Sequence, residues 1–187
     1  EEVRSILDSV RSDYKSYYTV RFFTGMRTAE VDGLQWNAVD FERRQIVVRS
    51  TIVNGQVEDT KTDGSFRAID MSQLVHDALV RQREQTGDYK YVFCTRCGTP
   101  LSHHNVTKRV WYPLLRYLGL PKRRPYQTRH TAATLWLASG ESPEWIARQM
   151  GHSTTEMLFR VYSRYVPNLT RQDGSAFERL LSQNFNA

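Results

Sequence analysis

Cysteine is nearly absent: the 187 residues contain two, Cys94 and Cys97. Two cysteines cannot build the disulfide framework of a small secreted domain, which agrees with a reducing compartment. No apolar run approaches the roughly 20 residues that a helix needs to cross a bilayer, and the N-terminus shows no signal-peptide pattern. These absences lead us to expect a soluble, cytoplasmic protein with no membrane partner. No Gly-x-x-x-x-Gly-Lys loop is present to cradle nucleotide phosphates, nor a carboxylate cluster of the kind that holds magnesium. No cofactor is therefore expected. Repeats and low-complexity tracts are missing too. Glu1-Glu2-Val3-Arg4 opens in a helical pattern without an initiator methionine, which we read as a fragment cut at a domain boundary of a longer protein.

What is present is an ordinary globular balance with a basic surplus. Apolar residues make up 40% and charged residues 25%, with 26 Lys and Arg against 20 Asp and Glu, a formal net charge of +6. The length suffices for one well-cored domain. The surplus favours a polyanionic partner such as nucleic acid.

Tyr14, Tyr18 and Phe22 recur at helical spacing, predicting a half-buried helix over 13–24 that Gly25 ends. Thr28 is expected to cap the next short helix, with Glu30 in its first turn. Residues 45–70 change character. β-Branched runs at Ile46-Val47-Val48 and Thr51-Ile52-Val53 meet the turn signals Asn54-Gly55 and Asp63-Gly64, which predicts a three-stranded antiparallel meander with Lys61 near its second tip. The remainder reads as helical. Ser72 caps a helix carrying Leu74, Val75, Ala78 and Leu79, and Pro113 kinks a helix over 103–118. Gly140 stops a helix over 127–139, Ser142-Pro143 starts another that Gly151 ends, and Ser153 to Glu156 forms a capping box. Pro167 bounds that last helix, and an amphipathic helix is expected over 172–184. The fold class is mixed α/β (α+β), mainly helical, with a small three-stranded antiparallel sheet.

Five features sit at element ends or loops, where functional residues concentrate. They are Arg27, Lys61, Arg129 with its neighbour His130, His152 after Gly151, and Tyr162. Together these residue types suit phosphoryl transfer without metal. Two arginines clamp the non-bridging oxygens of one phosphate and stabilise the charge that builds there. A tyrosine hydroxyl attacks phosphorus and holds the chain covalently. A lysine protonates the departing 5′-oxygen, and a histidine hydrogen-bonds the phosphate or shuttles protons. Lys122, Arg123 and Arg124, just ahead of Arg129, are candidates for contact with a DNA backbone.

The sequence resembles the catalytic domain of the tyrosine recombinases, the phage integrase family. Thr24-Gly25-Met26-Arg27-Thr28-Ala29-Glu30 matches that family's first-arginine motif, and Thr60-Lys61-Thr62 followed by Arg67 its hairpin lysine segment. Thr128-Arg129-His130-Thr131-Ala132-Ala133-Thr134 matches the second-arginine motif, and Met150-Gly151-His152-Ser153 the terminal histidine, with Tyr162 ten residues beyond it. The motifs stand in family order across nearly the whole chain. The resemblance implies that Arg27 and Arg129 bind the scissile phosphate, Lys61 is the general acid, His152 assists at the phosphate, Tyr162 forms a 3′-phosphotyrosine, and Glu30 braces Arg27. It implies site-specific recombination of double-stranded DNA, integrating or excising a phage or other mobile element. A homotetramer on DNA from free monomers, accessory DNA-bending or directionality proteins, and N-terminal DNA-binding domains outside residues 1–187 are also implied. So is a tail at 168–187 that packs between subunits. One position departs from the pattern: Tyr126 stands where the family usually has a histidine. A phenol donates a hydrogen bond but is a poor proton shuttle near neutral pH, since its unperturbed pKa is about 10.

Other readings stay open at this point. A type IB topoisomerase would share the phosphotyrosine chemistry, a non-catalytic relative would bind DNA without an adduct, and a basic interaction domain would ignore DNA. Tyr165 rivals Tyr162, although the spacing from His152 favours Tyr162. Cys94-x-x-Cys97 with His103 and His104 raises zinc, but the pairs lie too close together for a finger. We read that segment as a turn between a short strand at Tyr91-Val92-Phe93 and the next helix.

Overall fold

The structure, a computed structural model, describes residues 1–48, 50–53, 56–59 and 66–162, with the backbone alone at 50–53 and 56–59. Lys61, the turn residues Asn54-Gly55 and Asp63-Gly64, Tyr165, Pro167, the helix expected over 172–184 and the tail at 168–187 lie outside these residues.

Helix α1 (Glu2–Ser9) leads into α2 (Ser12–Thr24), the central element. The periodicity predicts one buried face on α2. Instead Tyr17, Tyr18, Val20 and Phe22 are buried together with Ser16, Thr19, Arg21 and Thr24. Both α4 (Gln73–Thr86) and α7 (Gln127–Ser139) pack against it, so its buried polar residues must look for partners inside. Arg21 donates to the Tyr17 hydroxyl (2.9 Å), Thr28 Oγ1 (2.8 Å) and the Pro125 carbonyl (3.1 Å), and Tyr17 donates to Asp32 (2.6 Å). Gly25 then caps α2 at φ +61°, and a Cβ there would meet the Trp136 ring at 2.9 Å. Both the turn and the close approach call for glycine.

Helix α3 (Thr28–Asp32) and a 3₁₀ turn at Trp36–Ala38 precede the strands β1 (Val39–Asp40), β2 (Gln45–Val48), β3 (Ser50–Val53), β4 (Gln56–Asp59) and β5 (Arg67–Asp70). A small three-stranded antiparallel sheet is present, but its order is β1-β2-β5; β3 and β4 form a separate two-stranded sheet. The expected meander of consecutive strands is thus corrected. β2 passes over the intervening hairpin to pair with β5, Ile46 opposite Ile69. Ile46, Val48 and Ile69 are buried, so this register puts the alternating apolar residues on the core face. At two residues, β1 is too short for any periodicity to announce it.

Helix α4 (Gln73–Thr86) starts at Ser72, whose hydroxyl accepts the Val75 N–H (3.4 Å). It buries Val75, Ala78 and Leu79, while Leu74 stays exposed. The strand expected at 91–93 is reduced to isolated bridges, Tyr91 with Gln35 and Cys94 with Pro100. Helices α5 (His103–Val106) and α6 (Tyr112–Tyr117) are joined by a π-helical turn at Thr107–Trp111. That turn is the form the disruption at Pro113 takes. Proline has no N–H for the Arg109 carbonyl, and its ring would crowd that carbonyl in a regular helix.

Helices α7 (Gln127–Ser139), α8 (Pro143–Met150) and α9 (Glu156–Tyr162) complete the described chain. Gly140 and Gly151 terminate α7 and α8 in the left-handed conformation, and Ser142 caps α8. The capping box expected at Ser153 does not set the start of α9: the first helical N–H groups bond the Thr155 carbonyl, so the helix begins two residues later. Two apolar cores result. The larger collects α1 to α6 and the three-stranded sheet; the smaller holds Ala133, Leu137, Ile146, Ala147, Met150, Leu158 and Tyr162 from α7, α8 and α9.

Candidate active site

Arg27 lies at the N-cap of α3, between the Gly25 turn and Glu30 in the first helical turn. The expected Thr28 cap is not made, because Thr28 is already helical and its hydroxyl accepts from Arg21. Glu30 supplies the cap instead, its Oε2 accepting the Arg27 backbone N–H at 2.7 Å. Its Oε1 accepts Arg27 Nη1 at 2.9 Å. From the far side Arg67 closes a two-pronged pair, Nη1 to Oε1 at 2.9 Å and Nη2 to Oε2 at 2.8 Å. Four donors therefore fill the four lone-pair sites of one carboxylate. Burial alone would raise the Glu30 carboxyl, but the hydrogen bonds and charge of Arg67, with those of Arg27, hold it below its ordinary value. Glu30 thus holds both the backbone N–H and the guanidinium of Arg27. The second arginine on it, Arg67, is quoted in the hairpin motif but carries no expected role.

Arg129 opens α7 and is 2% exposed. Its Nη1 donates to the Gly25 carbonyl and its Nη2 to the Met150 carbonyl (2.6 Å), with His152 Nε2 at 3.2 Å. The end of α8 is where the arginines meet. Arg67 Nε donates to the Gln149 carbonyl at 2.7 Å, Arg129 to the Met150 carbonyl, and Arg27 Nη2 approaches the Gly151 carbonyl at 3.5 Å. A helix leaves its last carbonyls without intrahelical partners and concentrates negative potential there. Three successive carbonyls of this helix end take three different arginines, drawn from positions 27, 67 and 129. The buried Gln149 side chain locks the helix end to β5, accepting the Asp70 N–H (2.8 Å) and donating to the Asp70 carboxylate (3.0 Å).

His152 follows this turn. Burial, and then the positive charges of Arg129, Arg27 and Arg67, push its pKa down to about 4, so the ring is neutral near pH 7. A neutral ring facing Arg129 through Nε2 accepts that hydrogen bond and carries its proton on Nδ1, which is buried with no partner among the described residues.

Tyr162 ends α9, 3% exposed. Its hydroxyl lies 2.6 Å from His130 Nδ1. Burial raises the phenol to about 12 despite the pull of Arg129, so it is protonated near neutral pH. His130 stands one residue beyond Arg129, about 100° further round the helix. Arg129 therefore faces the α8 end while His130 faces α9. Burial and the charge of Arg129 lower the His130 pKa from its ordinary value. Tyr126, one turn earlier, is 46% exposed and sets its ring edge-on to His130 with centroids 5.3 Å apart. A cleft of about 680 Å³ opens between α7 and α9, lined by Arg123, Gln127, His130, Thr131, Arg160 and Tyr162 among others.

The site residues expected from sequence therefore separate. Arg27, Glu30, Arg129 and His152 gather around the α8 end, and Tyr162 stands on the next helix. Tyr126 reaches His130 and makes no side-chain hydrogen bond to either arginine among the described residues. Of the basic triplet, Arg123 is paired two-pronged with Glu2 (both contacts 2.8 Å) and Lys122 lies over the Tyr112 ring at 4.8 Å, while Arg124 is exposed. Among the described residues no three His, Cys, Asp or Glu side chains gather as a metal site requires. Cys97 is exposed, and His103 turns toward Asp32 at 3.8 Å.

The model of the phage integrase family matches residues 1–168. A prophage integrase, IntR, from Escherichia coli is 24% identical over 97% of the chain and 50% of its own length. A tyrosine recombinase XerC-like protein from Caldanaerobacter subterraneus is 24% identical over 96% of the chain and 52% of its own. The chain spans about half the length of these curated relatives. Among solved structures, the Tn1549 transposon integrase in complex with circular intermediate DNA superposes with a TM-score of 0.81 at 24% identity, over 96% of this chain and 65% of that one. XerA recombinase gives 0.68 at 21% identity, over 98% and 61%. No described helix is long and apolar enough to cross a membrane.

Proposed function

The chain belongs to the phage integrase family, and on that premise we propose that it is the catalytic domain of a site-specific recombinase that cuts and rejoins double-stranded DNA through a 3′-phosphotyrosine at Tyr162. The observation that carries this reading is the convergence of Arg27 and Arg129 on one helix end, next to a neutral histidine. Each guanidinium is held there by hydrogen bonds that use only part of its donor set, leaving other N–H groups for a phosphate.

A phosphodiester seated at the α8 end has its non-bridging oxygens matched by both arginines, and the match strengthens as negative charge grows on those oxygens in the transition state. His152 cannot act as an acid near pH 7, because its pKa lies at about 4. Instead its Nε2 accepts from Arg129 and helps to orient that guanidinium. The Tyr162 oxygen bonds to phosphorus, the bond to the 5′-oxygen breaks, and Lys61 donates a proton to that oxygen. The phosphodiester energy stays in the protein–DNA bond, so rejoining needs no nucleotide.

Integration or excision of a phage or other mobile element, in the cytoplasm of a bacterium or an infected host, is the setting we propose. Monomers assemble as a tetramer on two duplexes, accessory DNA-bending or directionality proteins bias the outcome, and N-terminal domains outside residues 1–187 help to hold the DNA. The exposed Arg124 and Lys122 contact the backbone more readily than Arg123, whose charge is offset by Glu2.

The test is a nicked suicide substrate given to the full-length protein. Wild type is expected to trap a covalent adduct on denaturing gels, and Tyr162→Phe none. Lys61→Ala is expected to be slow and to regain speed on a substrate with a better 5′ leaving group. DNA binding without an adduct in wild type would instead identify a binding module.

A further inference from the structure

Tyr162 carries a phenol that burial keeps protonated near neutral pH, so its attack on phosphorus requires a proton acceptor. Position 126 offers a phenol and no imidazole. His152 has its Nε2 against an Arg129 N–H, and its Nδ1 is buried without a partner among the described residues. One imidazole nitrogen does touch the reacting oxygen: His130 Nδ1, at 2.6 Å.

We propose that His130 is the catalytic base for Tyr162. The proposal rests on the reading of Tyr162 as nucleophile. The hydroxyl donates to Nδ1 of a neutral His130, and the geometry has independent supports. The His130 ring lies 5.6 Å from the Tyr162 ring and is braced edge-on by Tyr126 one helical turn back. The Thr134 hydroxyl is bonded to the His130 carbonyl. As the tyrosine oxygen bonds to phosphorus, its proton passes to His130 Nδ1. The phosphorus–5′-oxygen bond breaks, and the 5′-oxygen takes its proton from Lys61. In rejoining, the 5′-hydroxyl attacks phosphorus and gives its proton back to Lys61, the phosphorus–tyrosine bond breaks, and His130 returns its proton to the phenol. Burial and Arg129 keep the ring neutral and able to accept. The charged and titratable groups around it are Tyr126 and Arg129 from its own end of α7, Tyr162 from α9, His152 from the α8 end, and Arg123 and Arg160 in the cleft wall.

His130→Asn separates basicity from position, since an amide can accept the tyrosine hydrogen bond but cannot take its proton. Single-turnover adduct formation is measured against pH in the full-length protein, on the nicked substrate, for wild type, His130→Asn, His130→Ala and Tyr162→Phe. Wild type is expected to rise with pH through a midpoint below the ordinary histidine value of about 6.5 and then to level off. His130→Asn is expected to be slower by ~100-fold or more near neutral pH, to lose the plateau, and to climb roughly tenfold per pH unit toward phenol ionisation. Added imidazole should speed His130→Ala but not Tyr162→Phe, and a better 5′ leaving group should rescue Lys61→Ala without restoring the plateau of His130→Asn. A wild-type rate and profile in His130→Asn would overturn the proposal. So would a slow His130→Asn that keeps the plateau together with a His130→Ala that imidazole leaves unchanged, since both would mark a structural role. An adduct that survives in Tyr162→Phe would instead overturn the nucleophile on which the proposal rests.

Discussion

Arg27, Glu30 and Arg67 are rooted in the larger apolar core through neighbours such as Met26, Val31 and Ile69, whereas His152, just past the end of α8, and Tyr162, on α9, belong to the part packed around the smaller one. The two regions hold their side chains by different means. On the arginine side, every group is fixed by several charge-assisted hydrogen bonds, and one carboxylate satisfies two guanidiniums. On the tyrosine side, a helix of seven residues is held, among the described residues, by the buried Leu158 and Tyr162 and by a side-chain hydrogen bond to His130. A phosphate clamp must be preorganised, because reorganising dipoles during the reaction forfeits transition-state stabilisation. A nucleophile need only arrive when DNA is in place, and elements that move are drawn from the less stable parts of a structure. Arg129 joins the regions, its guanidinium bonding Gly25 on one side and Met150 on the other.

Breaking that link should have the largest effect. On the proposed reading Arg129→Ala removes a transition-state donor, and it strips two buried carbonyls of their partner, so cleavage should fall by at least ~10²–10³-fold. The check is single-turnover adduct formation, and near-normal cleavage would remove Arg129 from the clamp. Glu30→Gln should be the costliest change to folding on the arginine side. It leaves the Arg67 guanidinium, side chain 4% exposed, without a counter-charge, a loss of about 3–5 kcal/mol. Thermal unfolding should show a Tm lower by roughly 10 °C; an unchanged Tm would mean that the pair is not what fixes Arg27.

Leu158→Ala sharpens the contrast from the other side. Removing this buried side chain should cost about 2–5 kcal/mol locally, enough to free α9. Hydrogen exchange should then speed up across Glu156–Tyr162 while α2 stays protected. Equal acceleration of both would mean a single cooperative unit. The smallest expected effect is on acid stability. The folded-state pKa of His152 is lowered, from 6.5 to about 4. Its contribution is therefore fully present above the unfolded value and is lost as pH falls from about 6.5 toward 4. Urea midpoints should drop over that window, and less steeply in His152→Asn.

Much of this site was legible in the sequence because its motifs are local. Gly25 ahead of Arg27, Gly151 ahead of His152 and the helical stop and start signals around them place those side chains at element ends. Arg67 and Gln149 were not legible as functional residues, and His130 stood out beside Arg129 without a role of its own. Arg67 meets Glu30 across 37 positions and Gln149 across 82, and no spacing rule reports such pairings. The one available signal for Arg67 was its place in the hairpin motif. For His130 it was adjacency to Arg129, which on a helix means a different face and a different neighbour. The sheet order escaped for a related reason. Apolar alternation identifies the buried face of β2 and β5, but it does not say that β2 skips the hairpin to find β5.

The most direct test is to locate the DNA on the protein. The full-length protein trapped on a nicked substrate is digested with nuclease and trypsin, and its peptides are weighed. Trypsin cuts after Arg160 and Arg164, so Val161 to Arg164 carries Tyr162 as its one tyrosine, and Tyr165 falls in the next peptide. A nucleotide remnant on the Val161–Arg164 peptide is the expected result. A remnant on the peptide beginning at Tyr165, with Val161–Arg164 unmodified, would contradict it.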